Sequence, residues 1–124
     1  MADSNRETAR RGFEAALRGD LAAIADLLDP DVSWHGGDPS AAGACHNRDQ
    51  ALAFMRRSQV IQGGRFELVD VGGAGDKVVV IMRPPSEGPD PAPAVANLTT
   101  FRDGKVIEMV HYPNPDDALA AAQT

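Results

Sequence analysis

The sequence predicts an α+β fold in a single domain spanning residues 1–124, with helices gathered ahead of an antiparallel sheet. Apolar residues recur at helical spacing through residues 9–28 and again from 51 to 55. Residues 66–71, 77–83, 94–102 and 105–112 instead read as strands, separated by glycine, proline and aspartate turn signals. A chain of 124 residues fits one domain and can bury a sizeable core without staples. No internal repeat or splitting linker is evident.

Helix comes first. Ser4-Asn-Arg-Glu7 reads as a capping box, and Ala9, Phe13, Ala16 and Leu17 make one apolar face. Gly19 ends this helix through its tolerance of the left-handed conformation. Asp20 caps a short second helix with Leu21, Ile24, Leu27 and Leu28 inward, which Asp29-Pro30 stops. Asp31 to Gly36 reads as a strand, Val32 and Trp34 on one face and Ser33 and His35 on the other. Asn47-Arg-Asp-Gln50 is a second capping box, opening a helix with Ala51, Leu52, Phe54 and Met55 inward.

The sheet follows. Gly72-Gly-Ala-Gly-Asp76 reads as a turn between the strands Phe66–Val71 and Lys77–Arg83. In the latter, Val78, Val80 and Met82 take the more buried face, while Val79 and Ile81 give the opposite face apolar character too. The proline-rich residues 84–93 form an irregular hairpin connection, with a pocket lid as the alternative. Ala94–Arg102 and Lys105–Tyr112 are strands joined by the tight turn Asp103-Gly104. Asn114-Pro-Asp-Asp117 then supplies an N-cap, a proline at N1 and first-turn acids for a terminal helix.

Twelve basic against eighteen acidic residues leave a net charge of -6, which repels phosphate backbones, so no nucleic-acid partner is expected. The doublets Arg10-Arg11 and Arg56-Arg57 fit solvated helix faces. No apolar run is long enough to span a membrane, and the opening MADSNRETARRGF is too polar for a signal peptide. The lone Cys45 excludes an intrachain disulfide and suits a reducing cytoplasm. It is expected to pack as a small apolar residue, although its place near a helix start would allow a low-pKa thiol. Neither HxH, HExxH, GxGxxG nor Walker spacing occurs, so no metal or cofactor is expected.

The helix pair joined at Gly19-Asp20, the Asp31-Val-Ser-Trp34-His strand and the helix opened by Asn47-Arg-Asp resemble the first half of a SnoaL-like domain. Phe101-Arg-Asp-Gly-Lys-Val-Ile-Glu108, with the Tyr112-Pro-Asn-Pro-Asp-Asp ending, is similar to the second half. The resemblance covers essentially the whole chain and rests on turns and caps, so it speaks to architecture more than to reaction. It implies a cone-shaped α+β barrel of the nuclear-transport-factor-2-like (cystatin-like) type, a curved sheet wrapped by the N-terminal helices around a pocket for an apolar small molecule. It also implies a homodimer through the outer sheet face, which the two apolar faces of Lys77–Arg83 would serve.

Acid–base chemistry in such a pocket needs a polar group among apolar walls. Asn97, mid-strand, falls where related ketosteroid isomerases place an oxyanion-hole acid, and its amide can donate to a carbonyl. Its structural alternative is a backbone hydrogen bond. His111 shares a face with Met109, a face that lines the pocket in related isomerases, and histidine is the usual acid or base near neutrality. Its alternative is a half-exposed strand end. Strict alternation puts Trp34 in the pocket and His35 outside, unless a bulge at Gly36-Gly37 reverses them. Val80, Met82, Val95, Phe54 and Phe13 complete the expected wall.

Departures from the isomerases are equally informative. Gly36 stands near their general-base aspartate, with Asp38 the nearest carboxylate, and Gly12 or Phe13 near their tyrosine. Isomerisation of steroids is therefore not expected. The sequence leaves three readings: an enzyme using His111 and Asn97 on an apolar oxygenated substrate, a non-catalytic small-molecule binder, or an interaction domain.

Overall fold

A computed structural model describes residues 2–38, 40–57, 66–86 and 88–123. Among the described residues, four helices and five strands run in the order α1 (Ala2–Arg18), α2 (Leu21–Leu27), β1 (Leu28–His35), α3 (Arg48–Arg57), β2 (Glu67–Ala74), β3 (Lys77–Arg83), β4 (Val95–Arg102), β5 (Lys105–Tyr112) and α4 (Pro115–Ala122). The strands form one curved sheet in the order β1-β5-β4-β3-β2. β2 to β5 are successive antiparallel neighbours, whereas β1 lies parallel to β5. None of the described helices is long and apolar enough to cross a membrane.

Local chemistry accounts for most boundaries. Gly19 ends α1 at φ +72, and Asp20 accepts from the Ala23 amide at 3.1 Å to start α2. Asn47 accepts from the Gln50 amide at 2.9 Å, and Gln50 accepts in return from the His46 amide at 2.8 Å. At the β4–β5 turn, Asp103 and Gly104 take φ +54 and +80, as a two-residue hairpin of the right twist requires. Residues 84–93 serve as a connection between β3 and β4. There the Ser86 hydroxyl bonds to the carbonyls of Gly88 and Asp90, holding the loop on itself.

Three boundaries and the placing of one side chain differ from the sequence reading. Ser4 lies inside α1, which begins at Ala2, so it is not the cap. Leu28 opens β1 rather than closing α2, because its strand pairing with Val106 competes successfully with one more helical residue. Gly72, Gly73 and Ala74 belong to β2, pairing with Val79, Val78 and Lys77, which leaves Gly75-Asp76 as the turn. Phe54 is not packed inward; it is 38 % exposed.

The sheet has two apolar faces. On the concave face Val78, Val80 and Met82 join Phe13, Ile24 and Val32 from the helical side and β1. On the other, Val79, Ala96, Leu98 and Val110 pack with Ala118 and Leu119 of α4. The second apolar face of β3 is thus covered within the chain. The start of α4 rests on Asn114, whose Oδ1 accepts from the Asp116 amide at 2.9 Å, with Pro115 next. Asn114→Ala is expected to cost about 1 kcal/mol, read as a lower urea midpoint with an unchanged m-value.

Candidate functional site

Between the concave face and the helices lies a cavity of about 610 Å³. The strand register sets its wall in rows. Met82 pairs with Val95; Val80, Asn97 and His111 stand side by side across β3, β4 and β5; Val78, Thr99, Met109 and Trp34 form the next row across four strands. Exposure falls along this direction, from half-buried Val95 and Asn97 to Thr99 at 5 % and Phe101 at 3 %. The mouth therefore lies toward Val95 and the deep end toward Phe101. Phe13, Ile24 and Val106 line the cavity too. Two bulges keep the inner face apolar: Ile107 is the extra residue between the Thr100–Glu108 and Phe101–Val106 pairs, and Val69 the one between Leu68 and Asp70.

Every sequence-selected residue borders this cavity: Asn97, His111, Trp34, His35, Met109, Val80, Met82, Val95, Phe54 and Phe13. Phe54 does so from the rim, its ring edge-on to Trp34 at a centroid distance of 5.0 Å.

Asn97 and His111 meet. The His111 Nδ1 and Asn97 Oδ1 atoms are 3.3 Å apart. An amide oxygen only accepts, so this contact requires the proton on Nδ1. In the neutral ring Nε2 is then the basic nitrogen. Asn97 thus bonds to the histidine rather than to backbone.

His35 is different. Its side chain is 6 % exposed, its Nε2 lies 3.1 Å from Glu108 Oε2, and its Nδ1 accepts from the Gly37 amide at 3.0 Å. A ring that accepts at Nδ1 and faces a carboxylate at Nε2 has both nitrogens engaged, so His35 is a wall and not a base. It shares the Glu108 side of the strand, as alternation predicts, yet borders the cavity where the chain turns at Gly36-Gly37.

Asp38 is exposed and does not line the cavity; the Ser40 hydroxyl at 2.7 Å, then the Ser40 amide, hold its carboxyl below the usual range. The lining among the described residues contains no Asp, Glu, Lys or Arg. No three of the described His, Cys, Asp or Glu side chains cluster as a metal site requires.

Cys45, bridged to Trp34 through reciprocal backbone hydrogen bonds of 2.8 and 2.9 Å, is a buried part of the wall. Burial pushes its thiol up, partly opposed by the Arg57 guanidinium, which fits the apolar-packing reading and not the low-pKa one. Alkylation of the folded protein by iodoacetamide at pH 8 is expected to run at least about tenfold slower than in urea, where the thiol returns to its ordinary pKa. Sequence reasoning missed Thr99 as a lining residue, although it shares the strand parity of Asn97.

A curved sheet and helices enclosing one apolar cavity define the cone-type α+β class. Within it, the family model of the SnoaL-like domain matches residues 9–109, and the chain belongs to that family, in the nuclear-transport-factor-2-like superfamily. Bal32a, from a soil-derived mobile gene cassette, is 30% identical over 90% of this chain and 89% of its own, at a TM-score of 0.70. A nuclear-transport-factor-2-like protein of unknown function from Burkholderia pseudomallei is 23% identical, covering 98% of each chain, at a TM-score of 0.67. A candidate polyketide cyclase from Sinorhizobium meliloti is 17% identical over 85% of this chain and 93% of its own, at a TM-score of 0.65. The last two show a shared fold. No curated protein matches the chain.

Proposed function

We propose that the cavity binds a neutral, apolar small molecule bearing an oxygen function, and that His111, oriented by Asn97, moves a proton on it. The observation carrying this reading is the Asn97–His111 pair, 3.3 Å apart, in the wall of a cavity whose described lining holds no charged side chain among Asp, Glu, Lys and Arg. An imidazole held by one nitrogen presents the other in a fixed direction, which is what general acid–base catalysis needs. The reaction class that fits is isomerisation, cyclisation or hydrolysis of an apolar oxygenated substrate. The resemblance in fold to a candidate polyketide cyclase is compatible with it.

A second reading is a binder without chemistry. It is favoured by the lack of a carboxylate lining the cavity among the described residues, since many proton-transfer sites use a pair of titrating groups. A screen of enones, epoxides and polyketide-like ketones separates the two. Turnover abolished by His111→Ala supports catalysis. Saturable binding without turnover, unaffected by His111→Gln, supports the binder. Absence of both binding and turnover across the screen overturns the pocket reading.

A further inference from the structure

Thr99 is the one deep polar side chain of the β4 wall. It is 5 % exposed, lines the cavity, and stands in the row between Val78 and Met109. Among the described residues its hydroxyl makes no side-chain hydrogen bond, nor is its oxygen sealed off from accessible space like the Arg83 Nε nitrogen. A hydroxyl that faces the cavity with no side-chain partner is open to a group that enters there, which gains a directed hydrogen bond in an otherwise apolar wall. Asn97 lies two residues nearer the mouth on the same strand face, a spacing of about 7 Å.

We propose that Thr99 is a second anchor that selects the ligand: a neutral molecule with two oxygen functions about 7 Å apart, one at the His111 ring that Asn97 orients and the other, a hydroxyl or carbonyl, on Thr99. This rests on the pocket reading above and narrows its substrate class. A threonine hydroxyl both donates and accepts, so it receives either group. Taking liquid water's ~30 Å³ per molecule as a yardstick, the cavity has room for roughly twenty non-hydrogen atoms. The occupant is then a molecule of at most about that size, oxygenated at two points. Ionised carboxylates and phosphates are disfavoured, since the described lining offers them no cation.

The test uses two rigid probes that differ by one oxygen, 1-tetralone and 6-hydroxy-1-tetralone, titrated calorimetrically against the wild-type chain, Thr99→Val and His111→Gln. Valine keeps the branched shape and removes the hydroxyl. The expected result is that the hydroxylated probe binds about tenfold tighter than tetralone to wild type, the gain for one satisfied buried hydrogen bond. That advantage disappears in Thr99→Val and survives in His111→Gln. Equal binding of the two probes to wild type, or an advantage that persists in Thr99→Val, overturns the second anchor and leaves the pocket reading intact. Failure of both probes to bind wild type at millimolar concentration overturns both.

Discussion

Replacing His111 with alanine is expected to lower kcat/KM on any substrate the chain turns over by roughly 10²- to 10⁴-fold, the usual contribution of a positioned acid or base. The side chain is exposed at the cavity mouth, so its removal leaves the core untouched and the melting temperature nearly unchanged. Asn97 touches the histidine through its Oδ1 and is a positioning residue for it. Asn97→Ala should therefore cost about tenfold, while Asn97→Asp, which keeps an acceptor for Nδ1–H, recovers part of the loss. In the double variant the Asn97 effect should vanish, because there is no ring left to orient. Wild-type turnover by His111→Ala would sink the catalytic assignment. An Asn97→Ala penalty undiminished on the His111→Ala background would mean that the amide meets the substrate itself.

The site was partly legible in the sequence because strand parity and turn chemistry are local. Asp103-Gly104 fixes where β4 and β5 begin to pair, but counting straight from it sets Asn97 opposite Val110; the bulge at Ile107 shifts the register by one residue and makes His111 the neighbour. The structure places them as direct neighbours in register. Trp34 and Met109 also become neighbours, but through the parallel pairing of β1 with β5, which joins residues about 75 positions apart and leaves no trace in local patterning. His35 illustrates the same limit: its neighbour Glu108 comes from the far end of the chain, and its Gly37 contact depends on a φ of +116. Thr99 went unnoticed for another reason. Threonine is an ordinary strand residue, and only the closed cavity shows that its hydroxyl has no partner there. The covering of Val79 by α4 is likewise tertiary; from the strand alone, an apolar second face is equally well explained by a second copy of the chain.

Gly73→Ala is expected to be among the most destabilising single changes, at about 3 kcal/mol or more, against a total stability of order 5–15 kcal/mol. Two independent constraints meet at this residue. Its φ is +91, where an L side chain is strained, and a Cβ built there would lie 2.4 Å from the Lys77 carbonyl oxygen and 3.0 Å from the Val78 Cα. Those neighbours are backbone, so no rotamer change can make room. The β2–β3 ladder has to open at the Gly73–Val78 pair, beside a valine side chain that is fully buried. Gly75, two residues on in the same hairpin, supplies the control. Its φ is +68 but nothing lies within 4 Å of the added carbon, so Gly75→Ala carries backbone strain alone and should cost about 1 kcal/mol. Urea midpoints for the two variants, at constant m-value, separate the terms. A Gly73→Ala midpoint well below that of Gly75→Ala assigns the difference to the Lys77 carbonyl. Equal midpoints would mean that the hairpin yields at no cost, and that Gly73 serves only its dihedral angle.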